Sequence, residues 1–133
     1  MYKLYTDGGC LGNPGQSAAG VVILDSADNE IFKGSVYLGE GTNNTAEYAA
    51  VFEGIKIAGN LNIKRLDVFS DSELIIKQLN GQYKVKSVSL KEYKDRIEVL
   101  KENFKEIKFR HIRRSHTEEP HNLAEAMLQK RKK

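Results

Sequence analysis

The sequence has a single cysteine, Cys10, in 133 residues, and no apolar run approaches the length of a membrane span. A lone cysteine excludes an internal disulfide, which indicates a reducing compartment. No internal repeat, low-complexity tract or linker interrupts the chain. Residues 1–5 have the pattern of a strand and not that of a signal peptide. Together these absences predict a cytoplasmic protein with no membrane segment.

The composition is that of one globular domain spanning residues 1–133, with 40% hydrophobic and 29% charged residues. We expect it to be a monomer. The net charge of +3 is unevenly spread, because residues 1–100 carry 11 Lys and Arg against 13 Asp and Glu, whereas residues 101–133 carry 10 against 5. A basic end favours a polyanionic partner, and a solubilising tail explains the same charges equally.

Hydrophobic periodicity divides the chain into strands and helices. Period-two alternation and short apolar runs predict five strands, at residues 1–7, 18–25, 30–38, 64–70 and 106–112. Helical spacing predicts helices at 45–58, 73–80, about 90–104 and 122 to about 131, with a loop over 113–120. Short connections make the first three strands antiparallel, and crossovers make the last two parallel to the first. The prediction is an α/β fold with a mixed five-stranded sheet flanked by helices.

A glycine-rich segment, residues 8–15, follows the first strand, and Asp7 stands where that strand is expected to end. Glycine lets a ligand approach the backbone closely, so a carboxylate beside such a turn is well placed to hold a metal or a phosphate. The same pattern suits a β-hairpin turn whose aspartate hydrogen-bonds its own backbone. Other acids arriving at the same place would favour the site over the turn.

Two further acids meet that condition. Asp71 follows the fourth strand, and Glu47 lies one turn into a largely apolar helix. Clustered carboxylates repel unless a cation compensates them, and an oxygen-only ligand set without Cys or His suits Mg²⁺ or Mn²⁺. Two such ions about 4 Å apart are the usual apparatus of phosphodiester cleavage. Taken singly, Asp71 is explained as an N-cap and Glu47 as a charge at a helix N-terminus, so the hypothesis depends on all three.

Three motifs in the first 80 residues resemble those of type 1 ribonucleases H. They are Asp7-Gly8-Gly9-Cys10 with Gly12-Asn13-Pro14-Gly15, then Thr42-Asn43-Asn44-Thr45-Ala46-Glu47-Tyr48, then Ser70-Asp71-Ser72. The resemblance extends over essentially the whole chain, in the compact form without the basic protrusion. It implies a ribonuclease H-like fold and hydrolysis of the RNA strand of an RNA–DNA hybrid. It also implies that Asp7, Glu47 and Asp71 bind two Mg²⁺ ions, or Mn²⁺ in their place.

The resemblance further implies a nucleic-acid surface. Glycines 8 and 9 form a flat wall, and the side chains that follow read the RNA strand in the minor groove, where the 2′-hydroxyl is donor and acceptor. An aromatic and basic surface lies along the DNA strand, where it makes affinity depend on salt. Taken alone, Tyr83 is equally explained as a packed turn aromatic. The residues assigned to binding are Gly8, Gly9, Cys10, Asn13, Thr42, Asn43, Asn44, Ser72, Tyr83, Lys84, Lys86 and Asn122.

The resemblance is looser at the C-terminal end, where the family carries a mobile His and a fourth acid, usually Asp. His116 fits the His that moves a proton or aids product release, and Asn122 fits the Asn that opens the last helix. Glu125 then takes the role of fourth metal ligand and catalytic acid, one residue short of the usual spacing. The alternative is that the site lacks a proper fourth ligand and holds its second metal loosely. His121 and Glu119 are lesser candidates to compensate.

These observations lead to one principal function and two alternatives. The principal hypothesis is a hybrid-specific endonuclease. A nucleic-acid-binding domain with weak or no activity is the second, because the fourth carboxylate is displaced. The third is a nuclease that also cleaves double-stranded RNA.

Overall fold

The computed structural model describes residues 1–132 and consists of five strands and four helices around one sheet. The strands are β1 (Tyr2–Leu11), β2 (Gly15–Leu24), β3 (Glu30–Gly41), β4 (Arg65–Ser70) and β5 (Glu106–His111). The helices are α1 (Asn43–Asn60), α2 (Glu73–Leu79), α3 (Val88–Lys101) and α4 (Glu118–Lys132). Within this described part of the chain, no helix has both the length and the apolar character that crossing a membrane requires.

The strand order is β3-β2-β1-β4-β5. Strand β2 pairs antiparallel with both β1 and β3, while β4 pairs parallel with both β1 and β5. The predicted mixed sheet is therefore confirmed. Only residues 80–87 separate α2 from α3, and only residues 102–105 separate α3 from β5, so both connections are short.

Strand β1 is longer than the sequence predicts. Its antiparallel pairing with β2 continues past Asp7 to Leu11, and the turn comes at residues 12–14. The glycines at 8 and 9 stay extended because they pair with Ala19 and Ala18, and this pairing overrides their weak strand propensity. Pairing with β4, in contrast, stops at Tyr5, which lies opposite Phe69. Asp7 is therefore still paired with β2, but it lies beyond the last residue of β1 that pairs with β4.

Helix α1 packs on one face of the sheet and forms the core with it. Gly54 allows this close approach, because a Cβ there would meet Leu4 and Thr6 of β1. The Tyr48 hydroxyl lies in this core and donates to Gln78 Oε1 of α2 at 2.7 Å, so these two buried side chains satisfy each other. The core members from β1, β2 and α1 are Leu4, Val21, Ile23, Tyr48, Val51, Ile55 and Ala58.

Helix α4 packs on β1, β2 and β3 and begins at Glu118, four residues before the predicted start at Asn122. The His121 N–H donates to the Thr117 carbonyl at 3.0 Å, which closes the first turn. Pro120 is tolerated in that turn because the first N–H groups of a helix have no intrahelical partner. A Cβ on Gly20 would collide with the Pro120 carbonyl, so this glycine is what lets the start of α4 lie on the sheet. The interpretation of residues 118–120 as loop is therefore wrong.

Candidate active site

Three carboxylates meet where β1 and β4 separate. Ligand atoms of Asp7, Glu47 and Asp71 all lie within 4.8 Å of one another. Since Tyr5 is level with Phe69, Asp7 and Asp71 each lie two residues further along parallel neighbours and stand side by side. Both follow the last parallel pair, so their side chains leave the same edge of the sheet. The predicted convergence of three separated acids is confirmed.

Glu47 reaches the other two acids from α1. Its Oε1 accepts a 2.5 Å hydrogen bond from the Gly8 N–H, which ties the helix to β1. A Cβ on Gly8 would overlap the Ala46 carbonyl and lie 2.7 Å from Glu47 N, so glycine is required here for steric reasons. The glycine-rich segment thus lets α1 pack close to the backbone of β1.

The start of α1 is fixed by a reciprocal cap. Thr42 Oγ1 accepts from Thr45 N at 3.1 Å, and Thr42 N donates to Thr45 Oγ1 at 2.8 Å. Asn13 Oδ1 accepts from Asn43 N at 3.0 Å, which joins the β1–β2 turn to the helix. A cleft therefore runs past the acids, lined by Gly8, Gly9, Cys10, Asn43, Asn44, Glu47, Asp71, Ser72, Arg114 and His121.

Burial makes it energetically unfavourable for these neighbouring carboxyl groups to be ionised. Asp7 is 1% exposed, and its burial raises the pKa of its carboxyl, with Asp71 adding to the effect and a hydrogen bond from His121 opposing it. Burial and the nearby Asp7 raise the pKa of Glu47 to about 9. Asp7 Oδ1 is buried without a hydrogen-bond partner among the described residues. An unpartnered carboxylate oxygen in an all-oxygen set is what a divalent metal ion would satisfy, so the residues fit such an ion.

The C-terminal part of the chain adds a cation to the acids. The Arg114 guanidinium lies in a 3₁₀ turn at residues 114–116, with Nη1 3.1 Å from Asp71 Oδ2 and 3.8 Å from Asp7 Oδ1. The buried Thr117 hydroxyl donates to Asp71 Oδ2 at 3.1 Å. These contacts hold the Asp71 carboxylate in place.

His121, and not Glu125, is the α4 side chain beside Asp7. Its Nδ1 lies 2.8 Å from Asp7 Oδ2, and its other nitrogen, Nε2, lies 3.4 Å from Glu125 Oε2. Glu125 is 57% exposed and lies outside the three-acid group, which it reaches only through His121. The expected direct place of Glu125 among the acids is therefore not what the structure shows.

The other C-terminal residues that the sequence analysis singled out also lie outside the group of acids. His116 is exposed in the 3₁₀ turn, and its proposed proton-moving role stays a prediction. Asn122 lies inside α4 and lines a shallow depression with Lys33 and Glu118, so the assignment of Asn122 as the helix-opening residue is wrong. Glu119 pairs with Lys33 at 3.8 Å, also away from the acids.

Sequence reasoning missed Arg114 and gave His121 too small a role. A cue was present, because Thr117 followed by two acids and Pro120 has the pattern of an N-cap and a first helical turn. Starting the helix there places His121 one turn in, facing the sheet.

Some of the residues assigned to nucleic acid line the cleft, and others lie outside it. Cys10 Sγ lies 3.6 Å from the Gly41 carbonyl, and burial raises the pKa of its thiol. Ser72 Oγ accepts from Ile75 N at 3.4 Å and caps α2. Tyr83 is 50% exposed, with Lys77 Nζ 4.9 Å from its ring centroid. Lys84 and Lys86 are exposed beside it, which leaves an aromatic and basic surface free to meet a partner.

A mixed sheet with carboxylates at the end of its parallel pair defines the ribonuclease H-like class of α/β proteins. A family model described as reverse transcriptase-like matches residues 5–127. The crystal structure of LC11-RNase H1 in complex with an RNA/DNA hybrid superposes with a TM-score of 0.95 at 35% identity, covering 100% of both chains. RNase H1 from the halophilic archaeon Halobacterium salinarum also gives a TM-score of 0.95, at 29% identity, covering 97% of this chain and 98% of that one. The chain belongs to the type 1 ribonuclease H family.

Curated relatives agree with this assignment and are longer. Ribonuclease HI of Halobacterium salinarum is 30% identical over 124 residues, which are 93% of this chain and 62% of that protein. A bifunctional protein of Mycobacterium tuberculosis is 31% identical over 110 residues, 82% of this chain and 30% of that protein. The chain thus spans less than two thirds of the length of these relatives.

Proposed function

We propose that the chain is an endonuclease that hydrolyses the RNA strand of RNA–DNA hybrids. The observation that carries this proposal is the group Asp7, Glu47 and Asp71, with a buried and unpartnered Asp7 oxygen, at the floor of an open cleft. Family membership supports the same reaction, as does the LC11-RNase H1 structure, which was solved with an RNA/DNA hybrid.

The three acids would hold divalent cations, Mg²⁺ in the first instance and Mn²⁺ as an alternative. Two bound ions would supply an activated water and positive charge at the leaving oxygen of an in-line displacement. Asp7 would be the central ligand, because both Asp71 and His121 lie close to its carboxylate. The Gly8 N–H holds the Glu47 carboxylate in place through its 2.5 Å hydrogen bond.

The cleft walls suit the two strands of a hybrid differently. Asn43, Asn44 and Cys10 present small polar groups near the acids, which suits 2′-hydroxyl recognition. Tyr83, Lys84 and Lys86 lie on an exposed surface that suits stacking and phosphate contacts along the DNA strand. We further propose that the protein acts as a monomer in the cytoplasm; its single free cysteine supports a reducing compartment.

The test is cleavage of a labelled hybrid in Mg²⁺ or Mn²⁺, with duplex RNA run in parallel. We expect internal cleavage of the RNA strand of the hybrid, abolished by Asp7→Asn. Asp67→Asn is the matched control, since Asp67 lies on β4 but pairs with Arg110 at 3.0 Å outside the site. Tight hybrid binding with no cleavage above the Asp7→Asn level would refute the enzyme and favour a binding domain. Equal cleavage of duplex RNA would widen the substrate class.

A further inference from the structure

The two ring nitrogens of His121 face two different carboxylates. Nδ1 lies 2.8 Å from Asp7 Oδ2, at the site, and Nε2 lies 3.4 Å from Glu125 Oε2, one helical turn later. His121 is partly exposed at 36%, and Glu125 is more exposed at 57%, so the line from Glu125 to Asp7 runs from solvent inwards. The ring therefore joins an outer carboxylate to the innermost acid of the site.

This order of groups is the usual environment of a metal-binding imidazole. A ligating His commonly gives its second ring N–H to a carboxylate, which fixes the tautomer and the ring orientation. Here Glu125 Oε2 is the carboxylate oxygen beside Nε2, at an ion-pair distance of 3.4 Å, while Nδ1 lies beside Asp7 Oδ2 and also contacts Arg114 Nη2. Glu125 thereby gains a role as a positioning residue without contacting the site.

The spacing at Asp7 suits a shared ion as well as a hydrogen bond. Two neighbouring ligands of an octahedral ion with bonds of about 2.1 Å are about 3 Å apart. Asp7 Oδ2 and His121 Nδ1 are separated by 2.8 Å, and Asp7 Oδ1 has no hydrogen-bond partner among the described residues. The pair can receive a cation when the Arg114 guanidinium, which contacts both ring nitrogens and lies 3.8 Å from Asp7 Oδ1, moves aside.

We propose that His121 supplies an imidazole ligand to a cation shared with Asp7, that Glu125 orients this ring, and that the site consequently binds Mn²⁺ in preference to Mg²⁺. The proposal rests on the proposed function, because it takes Asp7 to be a metal ligand. Its physical basis is ligand chemistry. Mg²⁺ favours oxygen ligands and retains its waters, whereas nitrogen ligands favour transition-metal ions. An imidazole in place of a carboxylate also removes one negative charge from the ligand set.

The test measures cation binding without nucleic acid. Dissociation constants for Mn²⁺ and Mg²⁺ are determined by calorimetry on the whole chain, for the wild type and for His121→Asp. We expect the ratio of the Mg²⁺ constant to the Mn²⁺ constant to be roughly tenfold larger in the wild type. His111→Asp is the matched control, because His111 is exposed at the end of β5. This control should leave the ratio unchanged.

Spin-echo spectroscopy of bound Mn²⁺ gives a second measurement that does not depend on affinity. We expect modulation from a directly bound ¹⁴N nucleus in the wild type, and its loss in His121→Asp. Glu125→Gln should keep the ¹⁴N signal while weakening Mn²⁺ binding by roughly 10–100-fold, the range typical of an outer partner of a metal-binding His.

Two results would overturn the inference. One is saturating Mn²⁺ binding that depends on Asp7 but shows no ¹⁴N modulation, and the other is the same Mg²⁺ to Mn²⁺ ratio in the wild type and His121→Asp. Either leaves the proposed nuclease standing. Cation binding that is unaffected by Asp7→Asn would instead remove the metal site on which the proposed function depends.

Discussion

Arg114 Nη1 lies 3.1 Å from Asp71 Oδ2, so the guanidinium sits among the acids of the site. The same side chain lies 3.8 Å from Asp7 Oδ1 and also contacts the His121 ring. Arginine stays protonated at every working pH, and its charge lowers the pKa of Asp7. Arg114 is thus a built-in counter-ion for carboxylates that would otherwise repel one another.

Replacing Arg114 by Ala should therefore have opposite effects on the protein with and without metal. In EDTA, the variant should lose about 0.5–1 kcal/mol of unfolding free energy, because the acids lose a partly exposed counter-ion. Affinity for Mg²⁺ should rise, since the incoming ion no longer meets a positive charge. Urea unfolding and calorimetry measure the two effects. Arg113→Ala removes the same charge one residue away and should show neither; weaker metal binding by Arg114→Ala would contradict the counter-ion role.

The raised pKa of Glu47 predicts how stability varies with pH in the absence of metal. Its folded pKa of about 9 lies above the ordinary value of 4.5, so the folded chain keeps a proton that the unfolded chain releases. This contribution is fully present below the ordinary pKa and is lost as the pH rises towards 9. Stability in EDTA should accordingly fall between these two values.

Glu47→Gln tests that expectation because it keeps the neutral shape at every pH. We expect it to flatten the pH dependence and to exceed the wild type by about 1–2 kcal/mol near pH 8 in EDTA. Glu53→Gln changes a surface acid on the same helix, which pairs with Lys56 at 3.5 Å, and should keep the wild-type slope. Parallel slopes for Glu47→Gln and the wild type would show that Glu47 ionises normally.

Gly20 should prove to be a steric requirement for the site, although it carries no functional group. It lies opposite Asp7 in the antiparallel pair, and a Cβ there would overlap the Pro120 carbonyl. Gly20→Ala should push the start of α4 off the sheet, cost about 1–3 kcal/mol and separate His121 from Asp7. Gly9→Ala is the stability control, because its Cβ meets no atom within 4 Å. Urea unfolding and the His121 ring resonances report both effects, and an unshifted ring would count against this account.

The exposed basic surface predicts the salt dependence of hybrid binding. Lys84 and Lys86 stand beside the half-exposed Tyr83, away from the acids. A double change of both lysines to Ala should weaken hybrid binding and lower the salt slope by about one unit for each phosphate that is no longer neutralised. Filter binding with the Asp7→Asn background avoids cleavage during the measurement. Lys64→Ala, on the loop before β4, is the charge control, and an unchanged slope in the double variant would place the DNA strand elsewhere.

Most of the strands and helices, and part of the site, could be predicted from the local pattern of hydrophobic and polar residues. Alternation predicted all five strands, and helical spacing predicted all four helices, with errors confined to their ends. Asp7 and Asp71 were predictable as neighbours because each follows a strand whose connection makes the pair parallel. The error at the end of β1 has a tertiary cause, since Gly8 and Gly9 are held extended only by their partners on β2.

By itself, the sequence predicted that three acids converge, but it began the last helix at Asn122 and so left His121 outside it. Only the tertiary structure decided which turn of that helix meets Asp7. His121 and Glu125 are four residues apart and share one face, so periodicity treats them alike. The contact of Pro120 with Gly20 sets the height of α4 along the sheet, and it places the first turn against Asp7. The position of α4 along the sheet depends on how the helix packs against the strands. The local sequence pattern of α4 does not contain this information.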